Sequence, residues 1–225
     1  MRLHPIALPS ILCLLLCGCA SNQRQEFGDR AQPSDALPVK EQPFTAETRF
    51  AAGQVDEAQH NPAAAVVQYK EALKLNPGHL GALYRLGIVY AELKQYPQAI
   101  DAWGQYVTAT NESPTAYGDM AFCEELAGES DKAAASYEAG IARDPKSISC
   151  RVNYGLMLAR QGRVDDAVTQ WRFVLTDAEI HYNLGGVYEA QGNKAKARVE
   201  FNKALELDPD FNDARVRVSS LDTNQ

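Results

Sequence analysis

The sequence has few of the residues from which catalytic and metal sites are built. Its four histidines, His4, His60, His79 and His181, are dispersed and share no metal-ligand spacing. No metal and no cofactor is therefore expected. A glycine-rich loop that could cradle phosphate is missing, because the glycines recur at a fixed interval that close helix packing explains. A basic patch is missing too. Lys and Arg total 22 against 29 Asp and Glu, giving a net charge of −7 and a pI of about 5.2. Such a chain is unsuited to neutralising phosphates, which argues against nucleic acid as a partner and against polybasic membrane binding. At 45% hydrophobic residues the body is not a membrane bundle. The acidic pairs Glu124-Glu125 and Asp165-Asp166 fall on amphipathic helices and read as solvated faces. Catalysis by this chain is not expected. Cysteine is sparse. Of five, Cys13 and Cys17 lie within an N-terminal leader. Cys123 and Cys150 would lie roughly 10 Å apart along neighbouring helices, too far for a disulfide, so both are expected as buried free thiols.

What is present begins with that leader. Met-Arg-Leu-His is followed by an apolar stretch from Ile6 to Cys17 and then Gly18-Cys19. A basic start, a short apolar run and a small residue make a secretory signal, too short to span a membrane as a mature helix. Leu16-Cys17-Gly18-Cys19 resembles the lipobox of bacterial lipoproteins. The resemblance implies a signal peptide of residues 1–18 and lipidation at Cys19. Ala20 stands where an aspartate would mark inner-membrane retention, which implies the outer membrane and its periplasmic face. Two or more acyl chains suffice for stable attachment without a spanning helix. Residues 19–45 then turn polar, with Pro33, Pro38 and Pro43 and few large apolar side chains. This composition predicts a disordered tether reaching about 25–30 Å.

From residue 46 the chain repeats. An alanine followed four residues later by an aromatic occurs five times: Ala65/Tyr69, Ala99/Trp103, Ala133/Tyr137, Ala167/Trp171 and Ala197/Phe201. Successive copies are 34, 34, 34 and 30 residues apart, a period that marks a solenoid rather than a closed domain. Twelve residues before each alanine stands a small residue: Gly53, Gly87, Ala121, Gly155 and Gly185. Small residues on both helices allow antiparallel approach, and the aromatic fills the space created. Asn76-Pro77, Asp144-Pro145 and Asp208-Pro209 supply helix stops. These columns, with Leu86-Gly87-Ile88-Val89-Tyr90 and Leu184-Gly185-Gly186-Val187-Tyr188, resemble the tetratricopeptide repeat over about 46–211. The resemblance implies an all-α, right-handed superhelical solenoid of five helix–turn–helix pairs: 46–79, 80–113, 114–147, 148–177 and 178–211. Residues 212–225 would form a capping helix and tail. Arg49 and Asp56 stand where bulky residues are expected, as in an atypical terminal unit. Pro114 is expected at the first position of its helix behind Ser113 as cap, and Gly128 turns the chain before Ser130. The fourth repeat lacks four residues after Val174, so its second helix must end early.

Positions 2, 5, 9 and 12 of each repeat share one stripe of the first helix, apart from the glycine column. That stripe offers Phe50, Tyr84, Ile88, Phe122, Val152, Leu156 and Tyr182, with Leu126 beside it. First helices line the concave face in the family resembled, so these residues are the candidate partner-binding groove. The family's best-known ligand mode clamps an acidic C-terminus with basic and asparagine side chains. Phe50, Gln54, Tyr84, Ile88, Gly118 and Phe122 occupy those places here, and the clamp is missing. Arg85 and Arg160, near the groove, are expected to be solvated. An apolar groove suits an extended segment or an amphipathic helix. The resemblance therefore implies a non-enzymatic scaffold for a protein partner, held to the membrane by its lipid. The layout also resembles Tad/Flp and type IV pilus-assembly lipoproteins, and lipoproteins serving outer-membrane protein insertion. The alternative is a regulatory accessory that binds a cell-wall enzyme.

Overall fold

The computed structural model describes residues 44–223. The expected signal peptide, the expected lipidation site Cys19 and the expected tether up to residue 43 lie outside the described residues. Eleven α-helices and no strand are found among the described residues. The first helices of the five repeats are α1 (Ala46–Ala58), α3 (Leu80–Glu92), α5 (Pro114–Leu126), α7 (Ile148–Arg160) and α9 (Asp177–Ala190). The second helices are α2 (Pro62–Leu75), α4 (Tyr96–Ala109), α6 (Ser130–Arg143), α8 (Val164–Trp171) and α10 (Lys194–Leu207), followed by α11 (Asn212–Thr223). None of these helices is long and apolar enough to cross a membrane.

Helix starts follow local chemistry. Thr45 and Thr48 form a capping box at α1, and Thr176 and Glu179 form one at α9. Asn61 caps α2 ahead of Pro62, and Asn193 caps α10. Ser113 does stand at the N-cap of α5, but its side chain makes no capping hydrogen bond. Pro114, with φ already set for a helix, starts α5 instead. Each turn between paired helices uses one left-handed residue at the same place: His60, Lys94, Gly128, Gly162 and Gly192. Glycine adopts this conformation without penalty, whereas His60 and Lys94 strain against it.

Packing inside each pair is set by the two columns. All five column alanines are fully buried, and so are Tyr69, Tyr137, Trp171 and Phe201, with Trp103 nearly so. A Cβ added at Gly53 would lie 2.4 Å from Tyr69, at Gly87 2.4 Å from Trp103, at Gly155 2.2 Å from Trp171 and at Gly185 2.6 Å from Phe201. No side chain larger than hydrogen fits there without moving a ring. The third repeat differs, carrying Ala121 opposite Tyr137. Its tightest glycine is Gly140, where a Cβ would stand 2.5 Å from Cys150 Sγ.

The structure also alternates in steps of two repeats. Repeats one and three pair an aromatic tyrosine with a glutamate at position 12 (Tyr69 with Glu57, Tyr137 with Glu125) and an acid at position 11 (Asp56, Glu124). Repeats two and four pair tryptophan with alanine at position 12 (Trp103 with Ala91, Trp171 with Ala159) and a bulky residue at position 11 (Tyr90, Leu158). The larger indole takes the volume that glutamate occupies beside tyrosine. Asp56 is therefore not the mark of a frayed terminal unit, because Glu124 repeats it in the interior.

The deletion in the fourth repeat leaves α8 only eight residues long. The chain turns at once, with the Val174 and Leu175 amides donating to the Trp171 carbonyl at 2.9 and 2.8 Å. The core runs as overlapping clusters. The largest joins Tyr137, Cys150, Leu158 and Trp171 to Ile180, Leu184 and Val187, spanning repeats three to five. Leu221 of α11 closes over Phe201.

Candidate partner-binding groove

The first-helix stripe separates into two kinds of side chain. Tyr84, Phe122 and Leu126 are exposed at 39%, 42% and 43%. Tyr84 is held upright, edge-on to Trp103 at 5.3 Å between centroids and tilted against Tyr106 at 5.6 Å. The others are half-buried. Phe50 packs on Tyr69 at 5.6 Å and His79 at 4.8 Å, under Gly81, where a Cβ would come 2.8 Å from its ring. Ile88 packs on the cluster around Trp103, and Leu156 on the largest core cluster. Val152 offers its carbonyl to Trp171 Nε1 at 3.1 Å. Tyr182 lies between Phe201 and Phe211, and shares with Leu156 a small cavity of about 150 Å³ bounded by Arg160 and Arg217. The stripe therefore presents three exposed anchors between repeats two and three, flanked by residues that also hold the repeats together.

The arginines near this stripe are paired with carboxylates, contrary to the expectation that they are merely solvated. Arg85 Nε donates to Glu57 Oε1 at 2.9 Å, with a second contact from Nη2 to Oε2. Arg160 Nη1 donates to Glu125 Oε1 at 2.7 Å. Arg217 meets Glu189 at 3.4 Å. Each glutamate is at position 12 of an odd-numbered repeat, and each arginine is on the next first-type helix along the array. Residues about one period apart become neighbours when repeats stack. Glu57 also accepts a hydrogen bond from the Tyr69 hydroxyl.

The pair Glu124-Glu125 is likewise not a solvated face. Glu124 is 5% exposed, beside the buried Ser136, and burial pushes its carboxyl upward. One oxygen of each glutamate and the Tyr137 hydroxyl are buried with no hydrogen-bond partner. Asp165 and Asp166 are exposed, as expected. Half-buried Asp119, one helical turn before Phe122, is pushed up to about 6 by burial. Cys123 and Cys150 are buried free thiols. Burial drives Cys123 up to about 11 and raises Cys150, whose Sγ lies 3.1 Å from the Pro114 carbonyl oxygen.

Two larger clefts occupy equivalent places, each floored by a first helix between two second helices. One, of about 610 Å³, is lined by Leu73, Leu83, Leu86 and Tyr90 with Lys70 and Asp101 at its rim. Its counterpart two repeats on, about 550 Å³, carries Arg151 and Tyr154 in place of Leu83 and Leu86. Arg151 stacks on Phe173 at 3.7 Å and donates to the Pro145 carbonyl and Gln170. Among the described residues no group of three or more His, Cys, Asp or Glu is placed to hold a metal.

Two family models described as tetratricopeptide repeat match the chain, one over residues 178–211 and the other over 50–114 and 127–171. Together they cover more than half of it. The chain belongs to the tetratricopeptide repeat family. No curated protein matches it in sequence. Solved structures similar to this tetratricopeptide repeat protein include TTC0263, a thermophilic protein of Thermus thermophilus. It is 23% identical, with 79% of this chain and 98% of that chain covered and a TM-score of 0.54. YrrB, described as having an unusual peptide-binding site, is 23% identical over 75% of this chain and 89% of its own, with a TM-score of 0.53. MamA is 22% identical over 72% and 90%, with a TM-score of 0.58. At these identities the likeness shows the fold. The groove residues had a sequence signal in their stripe spacing. The glutamate–arginine pairs had one only in the recurrence of glutamate at position 12.

Proposed function

We propose that this tetratricopeptide repeat protein is a non-catalytic scaffold that holds a protein partner against its first helices. The carrying observation is the trio Tyr84 on α3 and Phe122 and Leu126 on α5, large apolar side chains left 39–43% exposed at or beside the stripe positions of successive first helices. Exposed apolar side chains gathered on such a stripe suit anchor residues of an extended segment or an amphipathic helix. Tetratricopeptide repeats mediate protein–protein interactions, and the related fold of YrrB has a peptide-binding site. The leader and Leu16-Cys17-Gly18-Cys19 support attachment by lipid at Cys19 to the periplasmic face of an outer membrane. In that setting the scaffold would serve assembly of a pilus, a secretion machine or another envelope complex.

The test is photo-crosslinking in cells from position 122, with adducts identified by mass spectrometry and a position on the second helices as control. A dominant adduct absent from the control is the expected result; no adduct above control would remove the groove from the proposal. A parallel Cys19→Ser strain should lose the protein from the membrane fraction, and unchanged fractionation would remove the lipid anchor.

A further inference from the structure

We infer that the partner segment seated on this stripe is cationic as well as apolar, with a Lys or Arg directed to Asp119 and its apolar side chains on Tyr84, Phe122 and Leu126. This rests on the groove reading above and adds the partner's charge. The array divides its charge between its two kinds of helix. The five first helices contain ten Asp and Glu against four Lys and Arg, whereas the five second helices contain eight of each. All the net negative charge of the repeat helices therefore belongs to the helices that carry the stripe.

The four cations on those helices are already engaged. Arg49 donates to Gln68 and lies over the Phe44 ring at 4.1 Å. Arg85 is held by Glu57 and Arg160 by Glu125. Arg151 bonds the Pro145 carbonyl and Gln170 and stacks on Phe173. Two of the four are thus neutralised by carboxylates, and the other two are held in place by neutral partners. Asp119 is different, a half-buried carboxylate with no cation placed against it among the described residues. It lies one turn from Phe122 on the same face of α5. Exposed Glu92, one turn beyond Ile88 on α3, adds a second carboxylate. A partly desolvated carboxylate attracts a cation more strongly than a fully hydrated one, and like charge on a ligand is rejected there. A second copy of this chain, at net −7, is the wrong partner for that face.

Three synthetic amphipathic helices with one shared leucine face, and lysine, glutamine or glutamate on the polar face, are titrated into the full-length protein and followed by fluorescence anisotropy. The lysine peptide should bind roughly five-fold or more tighter than the glutamine peptide, weaken as salt is raised, and lose a similar factor in Asp119→Asn. Asp119→Asn keeps the side-chain shape, circular dichroism checks its helicity, and Glu92→Gln repeats the test at an exposed position. A preference for the glutamate peptide, or lysine-peptide binding unchanged in both variants, overturns the charge assignment. If that binding is nevertheless lost in Phe122→Ala, the groove itself stands. Binding of every peptide undisturbed by Phe122→Ala overturns both.

Discussion

Asp119 is a side chain whose position costs the fold stability. A half-buried carboxylate without a cation loses hydration and gains nothing in exchange. The negative charge of Asp119 helps to raise the buried thiols Cys123 on α5 and Cys150 on α7, behind burial as the main cause, and neither thiol offers positive charge in return. Its pKa of about 6 lies above the ordinary 3.8, so the folded state favours the protonated form. The sign follows. Its contribution to stability is complete below about pH 4 and is lost as pH rises through 6. Asp119→Asn should therefore raise stability at pH 7.5 by about 1–2 kcal/mol, after allowing for screening by solvent, and by much less at pH 4. Urea melts at the two pH values check this; equal effects at both would mean that burial of the charge is not the cause. A residue that weakens the fold at neutral pH and stands beside exposed apolar anchors fits a binding role better than a structural one.

In four of the five helical pairs, the glycine column sets the closest approach. In Gly155→Ala the new Cβ would fall 2.2 Å from Trp171 Nε1, on an indole fixed by its hydrogen bond to Val152. The expected loss is about 1–3 kcal/mol from overpacking. Gly186, the next residue after the equivalent Gly185, has no atom within 4 Å of an added Cβ. Gly186→Ala should stabilise by about 0.5–1 kcal/mol through helix propensity alone. Opposite signs in thermal melts would establish the column, and matching signs would refute it. This level was legible in the sequence because Ala65/Tyr69 and its four counterparts recur in fixed register. The exposure of Tyr84 and Phe122 was legible in the same way, from the stripe they share. Glu124 and Glu125 were not, since a carboxylate on an amphipathic helix reads as solvent-facing until its neighbours are known. Arg85–Glu57 and Arg160–Glu125 span 28 and 35 residues, and only the stacking of repeats shows them as contacts. Phe50, at a stripe position, went to packing because Gly81 lets its ring slide beneath the following helix.

Across the repeat array, stability is a sum of units and interfaces rather than one core. The cluster joining repeats three to five is the largest, while α1 with α2 and the final α11 each have a neighbour on one side only among the described residues. Hydrogen exchange should reflect this gradient, with amides of α5–α9 lasting longest and those of α1, α2 and α11 exchanging first. Uniform protection would show that the array opens as a single unit. The two-repeat alternation also bears on engineering. Over its first four repeats the chain alternates tyrosine–glutamate units with tryptophan–alanine units, so the unit that packs as a set is the double repeat. An engineer lengthening it should splice in residues 46–113 as a block. Duplicating the third repeat alone would set two tyrosine–glutamate units side by side, and Glu125 of the first would meet a copy of α5, which carries no arginine.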